Sequence, residues 1–235
     1  MIISHSKKFI FLHPQKTGGT SIQKAIKESL GGTGEYNVPW RHCDATDARA
    51  YLGEYIWKAF YKFCIVRNPF IRLVSWYQHP VRFFSKKIVK TMTEINKGKK
   101  SEYDRLFGTV EEMREKVRYF SDKKNFPEQI DYWLSDEYKE IISKTKRKFC
   151  IFQNLVDWLD ISNVKYHHII RLENIENDWR KIYTEIGILP VKLSHRNFGF
   201  LGDSQEFYKK YYTPELIKKV SKIYEKDLEY FGYGF

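Results

Sequence analysis

Between His13 and Ser21 the chain reads HPQKTGGTS, which places Lys16, Thr17, Gly18, Gly19, Thr20 and Ser21 in one short stretch. Glycines let backbone N–H groups approach an oxyanion, hydroxyls add donors, and the lysine adds a full positive charge. Between a strand and a helix N-terminus, these residue types make an anion site, unless the stretch is a glycine turn with an incidental lysine. A second stretch, CIVRNPFIRLVSWYQH, puts Arg67 at the end of an apolar run and Ser75 eight residues further on. A guanidinium holds a phosphate through two parallel bonds. Ser75, in the first two turns of the following helix, can reach back to the same group. Arg72 also has the plain reading of a solvated helix residue.

Each stretch needs a strand before it and a helix behind it. The apolar run from Lys8 to His13 predicts a strand, and the period from about Thr20 to Leu30 predicts a helix closed by Gly31 and Gly32. Asp44 is placed to cap a short helix, and Phe60 to Val66 has the length and apolarity of a buried parallel strand. Tyr166 to Glu173 predicts a third strand, with a helix through NDWRKIYTEIGI after it. The last helix is capped by Thr213, begins at Pro214, and runs on one apolar face through Leu216, Val220, Ile223, Tyr224, Leu228 and Phe231. The lysine-rich stretch around 81–148 is expected to be a helical insertion and surface. Strands alternating with helices give an α/β fold with a mainly parallel sheet, and in such sheets ligands sit at the carboxyl ends of the strands. Both motif loops fall at such ends, so one shared site is expected.

A chain of 235 residues with 42% hydrophobic and 17% aromatic residues reads as one packed domain, 1–235, without repeats or a low-complexity linker. Its net charge of +12 favours an anionic partner: a nucleotide, an acidic sugar, nucleic acid or a membrane surface. Cys43, Cys64 and Cys150 stand far apart with no CxxC spacing, which suggests neither a zinc site nor a disulfide framework. No apolar signal core and no run of 18 apolar residues is present, so the expectation is a soluble, cytoplasmic protein.

PQKTGGTS and RNPFIRLVSWY, in this order and at this distance, resemble the two nucleotide motifs of the sulfotransferases, in particular the family of heparan sulfate 2-O- and related carbohydrate sulfotransferases and their bacterial relatives. IIRLENIENDW and the ending YYTPELIKKVSKIYEKDLEYFGYGF are similar to that family as well, so the likeness spans nearly the whole chain. Many members have proline directly before the lysine, whereas here Gln15 stands between Pro14 and Lys16. The resemblance implies a P-loop-like three-layer fold, with a central sheet flanked by helices. It also implies 3'-phosphoadenosine 5'-phosphosulfate (PAPS) as co-substrate, with the first loop on its 5'-phosphosulfate and the second on its 3'-phosphate. The acceptor it implies is a carbohydrate or glycolipid, with no metal and no nucleic acid. LSHRNF lies where relatives place a basic loop near the nucleotide, so Arg196 either touches PAPS or is a surface arginine.

For sulfuryl transfer, Lys16 is the candidate to stabilise negative charge on the leaving oxygen. The acceptor must also lose a proton. His42, between the two motifs, is the first candidate base because neutral imidazole is available near pH 7; related enzymes also supply a histidine from this region. Asp44 and Glu35 are held in reserve. His13 is read as supporting the loop, His79 as ending a helix, and Cys43 as packing. Two other readings stay open at this level. A P-loop kinase or hydrolase would need a GK[ST] lysine after the glycines, whereas Lys16 precedes them. A non-catalytic nucleotide- or nucleic-acid-binding protein would need only interleaved basic and aromatic residues.

Overall fold

The structure, a computed structural model, describes residues 1–31, 42–79, 111–112, 114, 125–143, 151–193 and 206–235. Its centre is a four-stranded sheet of β1 (Ile2–Ser4), β2 (Phe9–Leu12), β3 (Tyr61–Val66) and β4 (His168–Arg171), in that spatial order. β2, β3 and β4 run parallel, with Leu12 beside Cys64 and Val66 beside Arg171, so their carboxyl ends share one edge. β1 pairs antiparallel with β2 through an exposed turn at residues 5–8. At three residues it is shorter than the windows in which alternation is readable, and the sequence reading passed over it.

β1, β2 and nearly all of β3 are buried on both faces, β4 only at Ile170, and the side-chain period of two sorts them. Phe9, Phe11, Phe63, Ile65 and Ile170 point to one face, where they meet Ile22, Ala25 and Ile26 of α1 (Gly19–Ser29) and Trp179 and Ile182 of α7 (Ile175–Glu185). Ile10, Leu12, Cys64 and Val66 point to the other, against α2 (Ala45–Ala59), α6 (Leu155–Trp158) and Phe231 of α9 (Glu225–Phe231). Helix, sheet and helix make the three layers that the resemblance implied. A third apolar cluster joins α3 (Pro69–Tyr77) to α4 (Asn125–Leu134) and α8 (Pro214–Ile223), with α5 (Asp136–Ser143) beside α4. α4 and α5 fall within the lysine-rich segment around 81–148, while its lysine runs at 86–100 and 144–148 lie outside the described residues.

Three local expectations meet the structure in instructive ways. Asp44 does cap α2, its Oδ1 accepting from the Asp47 N–H at 2.8 Å, but the helix is longer than expected and is broken inside by Gly53 at φ +76°. Arg72 is not solvated: it is fully buried, and its Nη2 donates to the carbonyls of Ile151 and Gln153, both at 3.0 Å. The predicted single C-terminal helix is two, α8 and α9. A continuous helix would bond the Asp227 N–H to the Ile223 carbonyl. Asn154 takes both groups instead, donating from Nδ2 to Ile223 O at 3.0 Å and accepting the Asp227 N–H on Oδ1 at 3.1 Å.

Candidate active site

β2 delivers the glycine loop. After Leu12 the chain turns through His13 and Pro14 and enters α1 with Gly18 as its N-cap residue, at φ +83°. That left-handed conformation suits glycine, and space adds a second requirement. A Cβ on Gly18 would lie 2.5 Å from a Leu172 methyl, and one on Gly19 would lie 2.5 Å from His13 Cβ and 2.7 Å from its Cγ. His13 is itself buried and stacked on Phe11, so it has little room to yield. Lys16 is also left-handed, at φ +67°, which costs a lysine about 1 kcal/mol or more.

The loop's hydroxyls divide. Thr17 is fully buried and donates to Pro14 O at 2.8 Å, so its hydroxyl braces the loop rather than offering itself to a ligand, as the sequence had suggested. Thr20 is exposed and Ser21 half-buried on the first turn of α1.

β3 delivers the second set to the same edge. Arg67 follows Val66 directly, and its Nη1 donates to the Lys16 carbonyl at 3.1 Å. The two motifs are thereby joined, 51 residues apart in sequence. Asn68 turns the chain into α3, its side chain accepting from the Phe70 N–H and donating to Gly234 O at 2.8 Å. Its own N–H goes to Glu173, just past β4, which also accepts the Tyr233 hydroxyl at 3.1 Å. Burial first, and then the Glu173 carboxylate, push the Tyr233 hydroxyl well above its ordinary pKa and keep it a donor. Further along α3, Ser75 is 4% exposed, whereas Arg67 is half-buried. The Lys16 ammonium lies 5.8 Å from the centroid of the half-buried Trp76 ring, a contact the sequence did not signal.

His42 reaches the site from the start of the segment capped by Asp44. Its Nδ1 is 2.9 Å from the His13 carbonyl oxygen, and the two imidazoles meet edge to face at 4.8 Å. A carbonyl only accepts, so Nδ1 carries the hydrogen and the lone pair of the neutral ring is on Nε2. Asp44 spends a carboxylate oxygen on its helix cap, which suits it less for proton transfer. Glu35 and Arg196 lie outside the described residues. Cys43 packs in the core and burial pushes its thiol up, as a packing residue requires. Among the described residues, no group of three His, Cys, Asp or Glu side chains is placed to hold a metal ion, and no helix is long and apolar enough to cross a membrane.

An α/β sheet whose strand ends bring a glycine loop, a lysine and an arginine to one edge is an arrangement suited to an anionic group. The sequence model of the sulfotransferase family matches residues 1–234, and the chain belongs to that family. No curated protein and no solved structure matches it. Membership supports a transferase of sulfuryl groups.

Proposed function

We propose that this chain moves a sulfuryl group from PAPS to a hydroxyl, or an amine, of a carbohydrate acceptor by in-line displacement, in the cytoplasm. The observation that carries the reading is the bond from Arg67 to the Lys16 carbonyl, which brings two cations from separate motifs to one strand edge. The cradle fits the group. Gly18 and Gly19 leave no Cβ between the loop backbone and an oxyanion, Thr20 and Ser21 stand on the first turn of α1, and no metal is called for.

PAPS would supply the sulfuryl group and, as 3',5'-ADP, the leaving group. The loop main chain with Thr20 and Ser21 would hold the 5'-phosphate, while Arg67 with Ser75, and Arg196 as a further contact, would hold the 3'-phosphate. The Lys16 ammonium stabilises charge growing on the leaving oxygen, an interaction stronger in the transition state than before it. Nε2 of His42 takes the acceptor's proton while Nδ1–H stays on the His13 carbonyl. A saccharide acceptor accords with the family resemblance and, where it is acidic, with the net charge of +12.

Melting curves test this reading. 3',5'-ADP should raise the melting temperature by several degrees at about 100 times its Kd, where binding contributes about 2.7 kcal/mol, while 5'-AMP and Mg-ATP leave it in place. Equal stabilisation by Mg-ATP would overturn it.

A further inference from the structure

Arg67 has a use that a phosphate-binding arginine does not require. Its Nη1–H is bonded to the main-chain carbonyl of Lys16, the residue held at φ +67°, and this bond engages one of the guanidinium's five N–H donors. At the other end of the same lysine, the ammonium lies over Trp76 at 5.8 Å. Arg67 and Trp76 both belong to the segment that runs from the end of β3 through α3, and Asn68, between them, is pinned by Glu173 and Gly234. One rigid segment therefore grips the lysine at its backbone and at its charge.

We propose that Arg67 is a positioning residue for Lys16: its bond to the Lys16 carbonyl holds the left-handed backbone that aims the ammonium, independently of any 3'-phosphate. The proposal rests on the PAPS reading above, and it deepens the role of the second motif from gripping the donor to setting the catalytic cation.

A donor analogue without the 3'-phosphate separates the two roles. Adenosine 5'-phosphosulfate keeps the 5' end and removes the group that a phosphate-gripping arginine would touch. Its Kd is measured by calorimetry for the wild type, Arg67→Met, Lys16→Ala and the double variant, with a melting curve for each. Arg67→Met should weaken it about three- to tenfold, the worth of one hydrogen bond, and less than twofold when Lys16 is already alanine. Trp76→Leu should weaken it in the same direction, again only while Lys16 is present, which gives a second route if Arg67→Met does not fold.

Unchanged affinity in a folded Arg67→Met would overturn the proposal, and where that variant does not fold, unchanged affinity in Trp76→Leu would do so. So would an equal loss with and without the Lys16 side chain, since Arg67 would then act on the loop at large. A wild type that binds neither this analogue nor 3',5'-ADP would instead remove the nucleotide reading itself, and the proposal with it. A wild type that binds 3',5'-ADP while Arg67→Met leaves the analogue unaffected would keep the reading and discard only the positioning role.

Discussion

Lys16 holds its charge on a backbone conformation that lysines avoid, which ties its usefulness to the loop around it. Lys16→Ala should lower sulfuryl transfer by about 10²- to 10³-fold, as loss of a transition-state donor does, while the calorimetric Kd for 3',5'-ADP changes far less. Unchanged turnover would take Lys16 out of the mechanism. For His42→Ala the expected loss is about 10²- to 10⁴-fold in transfer at near-normal nucleotide affinity, and a fully active variant would move the base elsewhere. Gly19→Ala acts through space, since its new methyl meets the buried His13 ring; we expect about 1–3 kcal/mol of lost stability by denaturant titration. The glycine loop was legible as a pattern because its residue types lie within nine consecutive residues, whereas Leu172, Arg67 and Trp76, which press on it from elsewhere in the chain, were not. The use of the Thr17 hydroxyl was not, because a sequence shows a donor without showing which acceptor takes its one hydrogen.

Elements, by contrast, were legible only as far as their own patterns governed them. β2, β3 and α1 follow from apolar runs and a glycine stop, and the structure has them where those signals fall. The division of α8 from α9 has no signal in the helix itself, whose apolar face continues; it is imposed by Asn154, 69 residues before Ile223. Arg72 misled for the same reason. Its partners are the carbonyls at 151 and 153, the Tyr224 ring at 5.3 Å and, at 3.9 Å, the buried Asp227 carboxylate. This cluster ties α3 to α9, and removing one charge leaves the other buried. Asp227→Ala should therefore cost about 3–5 kcal/mol, whereas Asp227→Asn, which keeps an acceptor for the Val156 N–H, should cost less. Equal, small losses in both variants would mean that the pair contributes little to holding the helices together.

At the scale of the molecule, 41 lysines and arginines stand against 29 acidic residues. Raising salt from about 0.15 M to 1 M shortens the Debye length from ~8 Å to ~3 Å, so KM for PAPS should rise several-fold while kcat moves less; a flat KM would confine the electrostatics to the site itself. The three-layer arrangement was legible from the order of strands and helices, while the antiparallel β1 was too short to read. β1 nevertheless fixes where the molecule can be handled. Its turn to β2, residues 5–8, is exposed and stands at the opposite end of the sheet from the glycine loop, with Lys7 and Lys8 in it. A protein immobilised or dye-labelled through those two amines would present the glycine-loop edge of its sheet to the solution, which makes that turn the natural anchor for a biosensor or a supported catalyst.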